Sequence, residues 1–155
     1  MWNTYTKVLA ATDFSQLGNE AVRVAYGQAW PTKSEVIACH VLTEDSRKWI
    51  MNEVKCSAGD VYECARMLLN RMVPPNARRD GVTLSTQVVE GRPAEMLLDL
   101  AERNEVDLIV TGTHGRTGLD RLVLGSVAEH LVRMAHASVL VVKPQEPKKT
   151  ASTKG

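Results

Sequence analysis

The sequence predicts an α/β domain built on a parallel sheet with helices on both faces. Short apolar runs rich in β-branched residues alternate, along nearly the whole chain, with segments whose apolar residues recur at helical spacing. The first run is apolar from Val8 to Ala11, as a strand covered on both faces must be. Glycine, proline and capping residues stand at the joints between runs, where the backbone has to change direction. The length, 155 residues, suits one domain with a single sheet.

Lys7–Ala11 is the first strand, ended by the turn signal Thr12-Asp13. Ser15 caps a helix that runs to Ala29 with Leu17, Ala21, Val24 and Ala25 on one face, and Pro31 stops it. Glu35–Leu42 is the second strand. Thr43–Ser57 is polar, with Trp49, Ile50 and Met51 set into it, and reads as a loop holding at most a short helical piece. Val61, Ala65, Leu68 and Met72 mark a second helix that Pro74-Pro75 closes. Val82–Glu90 is the third strand. Gly91 breaks it, and Pro93 opens a third helix whose stripe is Ala94, Leu97, Leu98 and Ala101. Val106–Thr111 is the fourth strand and Gly112–Leu124 a glycine-punctuated loop. Ser126–Ala135 is the fourth helix, with Val127, Leu131, Val132 and Ala135 inward. Ser138–Val142 is the fifth strand, ended by Pro144. The domain thus spans 1–144, and the polar, basic stretch 145–155 reads as a disordered tail.

Composition narrows the function. A formal net charge of +1 provides no basic footprint for nucleic acid, and aromatic residues, at 5%, are too few for a base-stacking surface. No segment approaches the roughly 18 uninterrupted apolar residues that cross a bilayer, and Asp13 interrupts the first apolar run at once. Cys39, Cys56 and Cys64 form no CxxC pair and read as reduced thiols of a cytoplasmic protein.

The informative stretch is TGTHGRTGLDRLVLGSVAE, Thr111–Glu129. It lies between a buried strand and a helix, where an open α/β sheet holds its ligand. Gly112 and Gly115 can take positive φ and admit a close backbone approach. Gly125-Ser126 opens the helix, whose first amides lack intrahelical partners and attract a phosphate. The Ser126 hydroxyl adds a donor, and Arg116 and Arg121 are candidates for outer phosphates. Neither a GxxxxGK[ST] loop nor a GxGxxG fingerprint is present. A ligand-free reading competes: Ser126 with Glu129 forms an S-x-x-E capping box, and the glycines shape a tight loop. His114 has no orienting partner, and no histidine shows metal-ligand spacing.

The spacing Gly112-x2-Gly115-x9-Gly125-Ser126 resembles the G-2x-G-9x-G-(S/T) motif of universal stress proteins. So do VLAATDFS at Val8–Ser15, HVL at His40–Leu42, GRPAEMLLDLAERNEVDLIVTGTHGR at Gly91–Arg116 and SVLVVKP at Ser138–Pro144. The likeness spans Lys7 to Pro144 and is weakest over Thr43–Asp80.

This resemblance implies a doubly wound, Rossmann-like sheet of order 3-2-1-4-5, of the adenine nucleotide alpha hydrolase type. It implies ATP as ligand, with magnesium or manganese carried by the phosphates. Asp13 would lie near adenine and ribose, and the Val41 backbone would contact adenine. Gly112, Gly115, Gly125 and Ser126 would contact ribose and phosphates, and the Val127 amide would join them at the helix start. Arg116 falls inside the motif, with a solvated arginine as its alternative. A homodimer through Ser138–Val142 is also implied. The leading reading is an ATP-dependent regulatory module in stress response. A slow ATP-hydrolysing enzyme and a dimerising stress protein that binds no nucleotide are the alternatives. Only charge stabilisation is visible, with no positioned base, so efficient turnover is not expected.

Overall fold

The computed structural model describes residues 4–116 and 123–145. In chain order these form β1 (Lys7–Ala11), α1 (Gln16–Ala29), β2 (Glu35–Leu42), α2 (Glu44–Val54), a 3₁₀ turn (Ala58–Asp60), α3 (Val61–Asn70), β3 (Thr83–Glu90), α4 (Pro93–Arg103), β4 (Leu108–Gly112), α5 (Ser126–Met134) and β5 (Ser138–Val142). The five strands make one sheet of order β3-β2-β1-β4-β5, every pairing parallel. Gly118 and Arg121, and the tail from residue 146 on, lie outside the described residues.

Strand periodicity builds the two-sided core. Val8, Ala10, Val36, Ala38, Leu108 and Val110 face one side of the sheet, under α1, α2 and α3. Leu9, Ile37, Cys39, Val41 and Ile109 face the other, under α4 and α5. Ile50, Leu69 and Leu131, fully buried, are the helical anchors of these layers. Each stabilises the fold by about 1.5–3 kcal/mol on burial. Asp107 pins the near end of the sheet: its carboxylate accepts from the amides of Thr6 at 2.8 Å and Lys7 at 3.0 Å. Burial pushes the Asp107 carboxyl up, but these bonds outweigh it and hold its pKa below the usual value.

Several boundaries differ from expectation for local reasons. The stretch Thr43–Ser57 is mostly helix rather than loop. Thr43 and Ser46 cap α2 reciprocally, Glu44 and Asp45 oppose the helix dipole in its first turn, and Ile50 docks in the core. Serine in place of the usual Glu or Gln at the third helical position hid this cap. Strand β4 begins at Leu108, because the Val106 amide closes the turn after α4 on the Ala101 carbonyl at 2.9 Å. Helix α3 stops at Asn70, and α5 stops at Met134 because Ala135 is extended. On α1, Gly18, Val22 and Ala29 are buried with Ala21 and Ala25, while Leu17 and Val24 are half-buried.

Candidate functional site

Order β3-β2-β1-β4-β5 means that β1 and β4 are neighbours whose following segments leave the sheet on opposite faces. The carboxyl ends of such a pair diverge and leave a crevice. A cavity of about 350 Å³ fills it, and Asp13, Val41, Gly112, Gly115, Arg116, Gly125, Ser126 and Val127 all line it. Residues 112 and 126 are brought together because β4 ends where α5 begins its return.

The β1–α1 turn is held tightly. Ser15 caps α1 by accepting from the Gly18 amide at 3.1 Å. Asp13 Oδ1 accepts from the Ser15 amide at 3.0 Å and also from its hydroxyl. Asp13 Oδ2 accepts from the Arg116 amide at 2.7 Å. The carboxylate therefore ties the end of β1 to the loop after β4. Phe14 adopts φ 65, in the left-handed region. That conformation costs a non-glycine residue about 1–2 kcal/mol. Its packing holds it there: the ring lies 4.3 Å from the His40 ring and 6.0 Å from Trp49.

The loop glycines serve close approach rather than unusual dihedrals. Among the described residues only Gly81 and Gly91 are glycines at positive φ, so Gly112 and Gly115 do not use the left-handed region expected of them. A Cβ on Gly115 would lie 2.6 Å from Asp13 Oδ2, and one on Gly125 would lie 2.8 Å from the Thr113 carbonyl oxygen. Both are too short for carbon against oxygen, so larger residues there would push the loop off β1 or off α5.

The expected capping box at the start of α5 does not form. Gly125 is the N-cap and has no side chain to offer, so Ser126 falls inside the helix, and Glu129 instead pairs with Arg133 at 2.7 Å. Among the described residues no side chain caps the first turn, and Ser126, Val127 and Ala128 of that turn line the cavity. Arg116 is exposed, and its guanidinium donates to the Asp13 carbonyl at 2.6 Å and lies 4.2 Å over the Trp49 ring.

Sequence reasoning passed over His40, Ser46 and Asp45, which line the same cavity. His40 Nδ1 donates to the Thr12 carbonyl at 2.8 Å, so its Nε2 is the unprotonated nitrogen that faces the Ser46 hydroxyl at 3.1 Å. Burial pushes its pKa below 6.5, against the opposing pull of the Thr12 carbonyl. The imidazole is thus a neutral clip between β1 and α2. A polar residue inside the apolar run EVIACHVL was the signal that could have found it. His114 Nδ1 lies 3.1 Å from the Thr113 hydroxyl. Among the described residues no three metal-ligating side chains cluster, and no helix is long and apolar enough to cross a membrane.

Comparison with known proteins agrees with this architecture. The model of the universal stress protein family matches residues 4–143. Universal stress protein MJ0531 of Methanocaldococcus jannaschii is 37% identical over 154 residues, covering 95% of this chain and 86% of its own. MJ0577 of the same organism is 30% identical over 154 residues, covering 90% and 95%. A solved structure of MJ0577 aligns with a TM-score of 0.76 over 94% of this chain and 100% of its own, at 30% identity. The structure of a universal stress protein in complex with cAMP aligns at 0.65 with 25% identity, over 92% and 100%.

Proposed function

The chain belongs to the universal stress protein family, and from that premise we propose that it is an ATP-binding regulatory module. The observation that carries the reading is the start of α5. It presents first-turn amides with no side-chain cap toward a crevice of nucleotide size. Partial positive charge gathers at such an end, and the phosphates dock on the amides of Ser126 and Val127 and on the Ser126 hydroxyl. Gly112 and Gly115 let the backbone pass close to the ribose. Asp13 Oδ2 keeps a lone pair for a ribose hydroxyl after accepting from Arg116. The Val41 backbone, at the end of β2, meets the base. Magnesium or manganese would ride on the phosphates, since the chain's own contribution is hydrogen-bond donors. The complex of a universal stress protein, 25% identical to this chain, with cAMP supports a nucleotide as the ligand.

Function then follows from linkage: ATP stabilises whichever conformation or assembly holds α5 and the loop in the binding arrangement. The half-buried edge strand β5 offers its free side for pairing with a second copy, which makes a homodimer part of the proposal. Rapid hydrolysis is not, because both nitrogens of the buried His40 are engaged in hydrogen bonds.

Calorimetric titration with MgATP, wild type against Gly125→Val, tests the reading. Wild type should bind, and the variant should lose most of its affinity, because any Cβ there meets the Thr113 carbonyl at 2.8 Å. Equal binding by the two would refute the placement.

A further inference from the structure

The cavity has no phenylalanine, tyrosine or tryptophan in its lining, yet a nucleotide base favours a flat, polarisable surface to lie on. The planar groups in the lining are the imidazoles of His40 and His114 and the guanidinium of Arg116; the His40 ring is already packed on Phe14, and Arg116 is the one seated over an indole. Arg116 lines the cavity and Trp49 does not, while the guanidinium sits 4.2 Å over the indole. Arg116 is thus an exposed residue of the cavity lining that carries its guanidinium on an aromatic ring. We propose that Arg116, held over the Trp49 ring, is the platform on which the base of the bound nucleotide stacks. This rests on the reading of the cavity as a nucleotide site, and it names the chemistry of the base half: a broad planar π-system, best met by a purine.

The platform is rigid because it is braced from both directions. Phe14 packs against Trp49, nearly parallel to it at 14°, and His40 packs against Phe14. His40 is itself fixed between Thr12 and Ser46. In the plane, the guanidinium is anchored by its bond to the Asp13 carbonyl, 2.6 Å, and the Arg116 backbone by the bond to Asp13 Oδ2. Asp45 and Glu53, one turn before and one turn after Trp49 on α2, add counter-charge near Arg116. These groups hold the cation over α2 and away from the phosphate end of the site. A guanidinium is well matched to this role, being planar, weakly hydrated, and able to stack on one π-face while offering its other. The position also fits the neighbours, since Asp13 and the first turn of α2, which supplies Asp45 beside the cap residue Thr43, border the same part of the cavity.

The experiment compares MgATP with inorganic tripolyphosphate, which has no base, by calorimetry on wild type, Trp49→Leu, Trp49→Phe, Arg116→Lys and Arg116→Ala. The expected result is that the ratio of ATP affinity to tripolyphosphate affinity drops about tenfold in Trp49→Leu, Arg116→Lys and Arg116→Ala. Trp49→Phe, which keeps a π-face under the arginine, should retain most of it. Thermal melts confirm that each variant is folded. Wild-type ATP affinity in Arg116→Lys would mean that charge alone matters and would overturn the platform. So would a parallel loss of both ligands. If wild type binds ATP and Gly125→Val abolishes it while Trp49→Leu does not alter it, the platform fails and the nucleotide site stands. If wild type binds neither ligand, the nucleotide reading itself fails, and the platform with it.

Discussion

Replacing Gly115 by alanine adds one methyl group, and its consequence can be worked from neighbouring atoms. The new Cβ would sit 2.6 Å from Asp13 Oδ2, about 0.7 Å closer than carbon and oxygen normally approach. Residue 115 gains no dihedral strain, since its φ is not positive, so the whole cost is contact. A free carboxylate would swing aside easily. This one is held by Ser15 through Oδ1 and by the Arg116 amide through Oδ2. Yielding by that distance stretches the 2.7 Å bond to Arg116 beyond useful range. A hydrogen bond to a charged group contributes about 1.5–3 kcal/mol, less where water can replace it, so we expect a loss of about 1–2 kcal/mol. At about 2–4 °C per kcal/mol for a chain of this size, the melting temperature should fall about 2–8 °C. The control is Asp13→Ala, which removes the clashing atom. In that background Gly115→Ala should cost under about 0.3 kcal/mol, giving a large coupling energy in the double-mutant cycle. Urea denaturation of the four proteins measures it. Additive losses would show that Asp13 does not latch the loop, and the account of Gly115 would be wrong.

Three further outcomes follow from the same contacts. Because burial holds His40 below its unfolded pKa, the unfolded chain takes up a proton that the native state refuses as pH falls below 6.5. Unfolding free energy should decline across that fall, and urea melts at pH 7, 6 and 5 should show a shallower slope for His40→Gln. Burial pushes the Cys39 thiol up to about 12, and the hydrogen bond to Cys56 raises that of Cys64 to about 11, so a thiol reagent on the native protein should modify Cys56 first, Cys64 slowly and the buried Cys39 only on unfolding, as mass spectrometry of digested samples would reveal. Thr43→Ala removes the acceptor for the Ser46 amide and should lower stability by about 1 kcal/mol, with faster hydrogen exchange of the first α2 amides as the local signature.

Much of the architecture was legible because strands and helices announce themselves over short distances. Ser15 as the cap of α1 and Pro93 as the first residue of α4 both sit where local chemistry puts them. What escaped was decided by partners far along the chain. The half-buried Trp49 looked like one of three apolar residues, with Ile50 and Met51, set into a polar stretch; its ring is occupied by Phe14, 35 positions earlier, and by Arg116 from beyond β4. Ser126 looked like a cap because S-x-x-E is a capping pattern, but the helix enters one residue sooner, where Gly125 packs against Thr113 and His114.

The amino-acid sequence by itself determined the alternation of elements, the parallel sheet and the glycine spacing of the loop after β4, since each depends on residue types within a few positions of one another. Family membership was legible there too, because a motif is a pattern along the chain. Only the tertiary structure decided that Asp13 commits its carboxylate to the Arg116 amide, that Arg116 lies on Trp49, and that His40 clips α2 to β1. These are contacts between segments that the sheet order makes neighbours. Sheet order is set by how all the layers bury their apolar faces together, and no local stretch of sequence carries that information.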